Sequence, residues 1–217
     1  MESKQVIIGG SRRRERGRDG LFRRRRIDVC HVERSRDISR CYLPSRCSES
    51  SVTFLQVKII SGGQTGVDRA ALDAALKHRI DCGGWCPAGR LDEFGRIPDR
   101  YPVKELEEGS FAERTLQNVK DSEGTIVIYF NELRGGAEYT VQCCKQLQRP
   151  HKLINAANIS PQEAANLIVD FVREHKIDIL NVAGPRQSEW PEGYEYAFRA
   201  LEIFLNLIGP ITRRSKR

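Results

Sequence analysis

No apolar run in this chain approaches the roughly 20 residues that a membrane-crossing helix needs. The amino terminus has a basic cluster with no apolar h-region behind it, which excludes a secretory signal. Cysteine supplies no framework: seven thiols, at positions 30, 41, 47, 82, 86, 143 and 144, are an odd number without regular spacing. Residues 51–217 hold enough apolar side chains for a core without staples, so reduced thiols in a cytoplasmic protein are expected. Excess charge is also missing from most of the chain. Of 36 Lys+Arg and 29 Asp+Glu, residues 1–50 carry 14 and 7, leaving 22 and 22 for residues 51–217. The whole formal +7 lies in the first fifty residues, so the basic balance makes nucleic acid an improbable partner for the folded part. Nor does a histidine sit beside a plausible nucleophile. His78, His151 and His175 fall near helix ends or before a strand, His31 lies in the first fifty residues, and no triad emerges.

Those first fifty residues contain Ser11-Arg-Arg-Arg-Glu-Arg16 and Arg23-Arg-Arg-Arg26, with Cys30, Cys41 and Cys47 scattered among Ser and Arg. No period of 2 or 3.6 is sustained, and too little apolar surface is available to offset the entropy of ordering. Residues 1–52 are therefore expected to be a disordered leader. A transit peptide should be poor in acids, and seven Asp+Glu argue against one; translated sequence ahead of the true start is the competing reading. A basic tail occupies 211–217.

What the chain does have begins at Val57. Val57, Ile59 and Ile60 read as a buried strand, followed by the turn Ser61-Gly62-Gly63-Gln64-Thr65-Gly66 and a helix from about Asp68 to His78 with Ala70, Ala71, Ala74 and Ala75 on it. Strand, glycine-rich turn, helix is a layout that points free N–H groups and the positive end of the helix dipole at an anion. A second glycine loop, Gly83-Gly-Trp-Cys-Pro87, follows a short strand, and then a polar, proline-containing loop runs to Pro102. Ser110 to Glu113 and Ser160 to Glu163 are capping boxes, each opening a helix. Thr125–Phe130, Lys152–Ile154 and Ile179–Ala183 read as strands, and helices are expected from Ala137 to Leu147, after Ser160, and from Glu192 to about Ile208. Strands alternating with helices imply parallel strands with right-handed crossovers. The fold expected for residues 53–210 is α/β, a Rossmann-like three-layer α/β/α domain with a mainly parallel sheet. In such sheets ligands sit at the carboxyl ends of the strands. The loops Ser61–Asp68, Arg134–Ala137 and Gly184–Ser188 all follow strand carboxyl ends, so they are candidates to share one site.

With these loops in place the chain resembles a known family. Ser61-Gly-Gly-Gln-Thr-Gly-Val-Asp68, Gly83-Gly-Trp-Cys-Pro87 with Gly89-Arg90, Ile97-Pro98 with Arg100-Tyr-Pro102, Arg114-Thr115 with Asn118-Val119, Gly135-Gly136, and Leu180-Asn-Val-Ala-Gly-Pro-Arg186 look like the putative molybdenum carrier protein family. The match covers roughly residues 57–207. That family is similar to a circularly permuted member of the Rossmann-like group that includes DprA and the lysine-decarboxylase-like phosphoribohydrolases. The resemblance implies a site for a nucleotide-like or molybdopterin-like molecule, with the molybdenum cofactor or molybdate as the implied cargo. Where the phosphoribohydrolases carry a longer Gly-Gly-x-Gly-Thr loop, this chain reads Gly135-Gly-Ala-Glu-Tyr-Thr140, which argues against nucleotide hydrolysis.

The candidate ligand-binding residues are Ser61, Gly62, Gly63, Gln64, Thr65, Gly66, Asp68, Arg90, Arg100, Arg134, Gly135, Gly136, Thr140, Gly184 and Arg186. The glycine-rich residues would cradle an anionic group. Arg90, Arg100 and Arg186 would supply bidentate contacts to phosphate or molybdate oxygens, against the alternative of ordinary solvated arginines. Asp68 either stabilises a helix dipole or contacts a ligand. Trp85 either stacks on a flat ring or packs in a core. Cys82 and Cys86 with no nearby His are weak zinc ligands, so no metal site is assigned. The function expected is a small-molecule carrier, forming a homo-oligomer. Its rivals are a nucleoside-phosphate hydrolase using Glu138 or Asp68, and a DprA-like single-strand binder steered by the leader.

Overall fold

The computed structural model describes residues 56–209. The expectations for the leader and for the basic tail lie outside the described residues. The element order is β1 (Lys58–Ile60), α1 (Val67–Lys77), β2 (Cys82–Gly83), β3 (Trp85–Cys86), a 3-10 turn (Ala88–Arg90), β4 (Leu91–Asp92), β5 (Gly95–Arg96), β6 (Lys104–Glu105), α2 (Phe111–Lys120), β7 (Gly124–Tyr129), α3 (Gly135–Gln146), β8 (His151–Asn155), α4 (Pro161–His175), β9 (Ile179–Ala183) and α5 (Gly193–Ile208).

Five strands form one sheet in the order β2-β1-β9-β7-β8. Every pairing in it is parallel, for example Ile59 opposite Leu180 and Val127 opposite Ala183. The two-residue alternation of β7 assigns the layers. Ile126 and Ile128 enter the main core with Ala70, Ala74, Ile168, Val172, Leu201 and Phe204, so α1, α4 and α5 cover that face. Val127 points the other way and packs with Ala137 and Val141 of α3. Val119 of α2 meets Cys143 and Cys144 on the same side. The alanine stripe of α1 does what its small side chains suggest: Ala70, Ala71, Ala74 and Ala75 are buried in the main core. Both capping boxes are formed, at Ser110–Glu113 and Ser160–Glu163.

Strand order carries a second piece of information. Counting from β9, then β1, β2, β7 and β8, the sheet reads 3-2-1-4-5, the doubly wound order with its first strand moved to the end of the chain. α5 packs against both α1 and α4, filling the layer between them. The strand neighbours β9 and β7 send their following helices to opposite faces, so the topological switch point lies between their carboxyl ends. That is where a doubly wound sheet opens a crevice.

The stretch from Trp85 to Glu105, expected as a loop, is an organised insertion. β3 pairs in parallel with β6, and β4 pairs antiparallel with β5. Cys86, Ile97, Tyr101 and Val103 bury themselves there against Leu72 of α1. Strands of two residues are too short to show alternation, which is why the sequence concealed them. Ser160→Ala removes an exposed cap without touching the core. It should lower unfolding stability by about 1 kcal/mol in urea titration, with no change in slope.

Candidate functional site

An ion pair lies at the centre of the three glycine-containing loops. Asp68, in the first turn of α1, is 2% exposed. Its Oδ2 accepts from Arg114 Nη1 of α2 at 2.9 Å. The backbone N–H groups of Gln64 and Gly184 also favour the charged form of this carboxylate. One carboxylate therefore joins the β1–α1 turn, α2 and the turn after β9. Burial pushes its pKa up from the ordinary value, while Arg114 and the two backbone donors pull against that rise. Gly62 makes room for the pair: a Cβ there would stand 1.4 Å from Arg114 Nη1, so no larger residue fits.

The rest of the β1–α1 turn is a clasp. Ser61 Oγ donates to the Val182 carbonyl at 2.8 Å. Thr65 Oγ1 donates to Glu93 and accepts from the Gln187 N–H at 3.1 Å. The Gly63 carbonyl accepts from Arg69 Nη2 at 3.0 Å, and that guanidinium also meets Asp92 at 2.7 Å. Gly66 has φ +71° and its Cβ position lies 2.5 Å from the Pro185 carbonyl, an approach only glycine permits. Val67 N–H donates to that same carbonyl at 3.3 Å. Glu93, from the β4–β5 turn, fastens the clasp by accepting from Thr65 and from the Ser188 hydroxyl and N–H. Partial burial pushes its pKa up, but these hydrogen bonds prevail and hold it below the ordinary value. Of the turn's N–H groups, that of Thr65 is bound by the Gln64 side chain and that of Val67 by the Pro185 carbonyl. Ser61, Gly62, Gly63, Thr65 and Gly66 do not line the neighbouring cleft.

That cleft, about 240 Å³, opens at the switch point. It is lined by Gln64, Asp68, Gly135, Gly136, Thr140, Gly184 and Arg186 among the expected residues, and also by Phe111, Arg114, Thr115, Tyr139 and Glu189. Each of the three loops contributes to it. Its floor is the amino terminus of α3, whose N-cap Arg134 provides no side-chain cap. No atom lies within 4 Å of a Cβ position at Gly136, so the first turn of α3 faces open space. Thr140 Oγ1 turns back to the Gly136 carbonyl at 2.8 Å. Gln64 is 5% exposed, and its Oε1 is fixed by the N–H groups of Thr65 at 3.0 Å and Glu93 at 2.9 Å. With the amide so oriented, Nε2 is a buried donor without a partner among the described residues. Arg186 Nε pairs with Glu189 at 3.2 Å, half in solvent.

Three expected arginines are placed elsewhere. Arg90 donates to the carbonyls of Val103 at 2.7 Å and Tyr101 at 3.1 Å, holding the insertion together. Arg100 is exposed beside Asp73 and Tyr101. Arg134 pairs with Glu132 on the surface. In each case the guanidinium meets an acceptor of the protein itself, which the sequence does not show. Glu138 is exposed and outside the cleft lining. Trp85 is neither core nor ring platform in the cleft: its Nε1 donates to Asp121 at 2.6 Å and Lys104 stands over its ring. Cys86 is buried in the insertion core, and no group of three or more His, Cys, Asp or Glu that would hold a metal ion occurs among the described residues. The residue most consequential to the site and missing from the expected set is Arg114. Its signal was the Arg114-Thr115 pair one turn inside a capped helix, a surface position by pattern.

Arg114→Leu strands a buried carboxylate. It should cost about 3–5 kcal/mol at neutral pH by chemical denaturation. Without the guanidinium the folded-state pKa of Asp68 rises further above its unfolded value. The loss should therefore grow as pH rises through that folded pKa and shrink in mild acid, where the carboxyl is neutral. A loss independent of pH would rule out this origin.

Comparison with known proteins agrees with the strand order. A comparison with curated proteins finds no match. The crystal structure of a putative molybdenum carrier protein from Syntrophus aciditrophicus SB at 1.45 Å resolution is similar to this chain at 45% sequence identity and a TM-score of 0.68, covering 70% of this chain and 96% of that one. The family model described as the circularly permutated YpsA SLOG family matches residues 59–205. With its first doubly wound strand displaced to β9 and the switch-point cleft between β9 and β7, this chain belongs to the circularly permutated YpsA SLOG family.

Proposed function

We propose that the cleft receives the oxyanion end of a phosphorylated, nucleotide- or pterin-like small molecule, and that the protein binds and carries this molecule. The observation that carries the reading is the uncapped start of α3. Nothing crowds a Cβ position at Gly136, and only the Glu189 carboxylate, at 3.7 Å, stands near the one at Gly135, so the positive end of a 12-residue helix dipole is open to a ligand. Around it stand Arg186, Arg114 and the unpartnered Gln64 amide, all donors, as an oxyanion requires. Phosphate and molybdate are both tetrahedral oxyanions and share this chemistry. The name of the Syntrophus protein supports molybdenum as cargo. A pterin cofactor would bring its own metal ligands, so the residues present would need to hold only its phosphate. Ligand roles belong, in this reading, to Gln64, Gly135, Gly136, Thr140, Gly184 and Arg186, with Asp68 as a positioning residue.

Carriage fits better than hydrolysis. The two carboxylates lining the cleft are both engaged, Asp68 by Arg114 and Glu189 by Arg186. Glu138 is not among the residues lining it, so no unengaged carboxylate lines the space where a reacting atom would sit.

Isothermal titration of the full chain with phosphate, molybdate, ribose 5-phosphate and guanosine 5′-monophosphate (GMP) tests the proposal. Binding should weaken with added salt. Arg186→Ala should lower affinity about tenfold, the loss of one charge-assisted contact. Glu189→Gln frees Arg186 and removes a negative charge, so affinity should rise several-fold. No binding by any of the four probes, or an Arg186→Ala variant indistinguishable from wild type, would overturn the assignment.

A further inference from the structure

We propose that a recess beside the cleft is a ring subsite, taking the flat heteroaromatic ring of the ligand whose oxyanion meets α3. This rests on the functional reading above. The recess measures about 640 Å³ and is walled by Phe130, Asn131, Arg134, Pro185 and Trp190. It shares Gly135 and Glu189 with the cleft, so the two spaces meet at the amino terminus of α3. The cleft itself, at about 240 Å³, falls below the roughly 300–1,000 Å³ of sites that enclose whole ligands. It has room for an oxyanion and a sugar, and the remainder of a nucleotide-sized molecule must lie beyond it.

Phe130 is the platform. It follows the last residue of β7 and is 46% exposed. One face of its ring is stacked on Trp190, with centroids 5.5 Å apart and planes at 23°. Trp190 is only 8% exposed and packs in turn against Tyr196 in the main core. Phe130 is therefore held from behind, and a second flat ring would continue the stack. Pro185, with no N–H to satisfy, gives the facing wall a rigid apolar surface. Glu132 and Glu189 also line the recess, paired with Arg134 and Arg186. The ligand class that fits is a flat heteroaromatic ring held by stacking, for which guanine serves as the probe.

Titration of the full chain with GMP, ribose 5-phosphate and phosphate separates the two claims. Wild type should bind GMP more tightly than ribose 5-phosphate. Phe130→Ala should weaken GMP about tenfold, as loss of a base–aromatic stack does, while leaving ribose 5-phosphate unchanged. Phe130→Leu keeps apolar bulk against Trp190 and should show most of the same loss with an unaltered thermal midpoint. GMP binding no better than ribose 5-phosphate would overturn the ring subsite alone, as would loss of GMP affinity in Tyr139→Ala but not in Phe130→Ala, which would place the ring inside the cleft. Failure of all three probes on wild type would overturn the oxyanion reading and the ring subsite with it.

Discussion

The site depends on one buried carboxylate. Asp68 pairs with Arg114 of α2, and the N–H groups of Gln64 and Gly184 favour its charged form, so three elements distant in sequence act on a single carboxylate. Taking this pair out of water is expensive, so removing either partner strands the other as a buried, uncompensated charge. Gly62 is part of the same arrangement, since any side chain there would occupy the guanidinium's place. The pair is better understood as a device for register than as a source of stability: it positions the donors that surround the cleft.

Glycine-rich turns serve two different purposes in this protein. Around Ser61–Gly66 the absence of side chains lets protein approach protein: Arg114 over Gly62, the Pro185 carbonyl against Gly66. Around Gly135-Gly136 the absence of side chains leaves space, and no neighbouring atom stands within 4 Å of a Cβ position at Gly136. The same composition therefore yields a closed clasp at one helix and an open floor at the other. The difference is set by whether a third loop packs over the turn. The loop after β9 packs over the first and stops beside the second.

The layers and most elements were legible because they follow local rules. Thr125–Ile128 is a run of four β-branched residues followed by two aromatics, and β7 is observed at Gly124–Tyr129. Ser110 and Ser160 with their N3 glutamates announced two helices within a residue of their observed starts. The 85–105 insertion was not legible. Its strands are two residues long, and Tyr101, which reads as a loop tyrosine, is buried only because Leu72 of α1 and Ile97 close around it. Among the site residues, Gly135, Gly136, Gly184 and Arg186 were legible from their position after strand ends. Arg90 and Arg100 lie outside the cleft lining, beside carbonyls and a carboxylate, those of Val103, Tyr101 and Asp73, that folding brings near.

By itself the amino-acid sequence determined the α/β class, the parallel sheet, the carboxyl-end location of the functional loops and the family, since periodicity, caps and glycine turns are local physics written at fixed spacings. Tertiary structure alone decided which of the two glycine turns is open, that Arg114 is the partner of Asp68, and that the exposed ring of Phe130 stands one step from an uncapped helix. Those outcomes depend on distances between residues 46, 121 or more positions apart in the chain, as the Asp68–Arg114 and Ser61–Val182 contacts are, and no local pattern encodes which of several eligible partners arrives first.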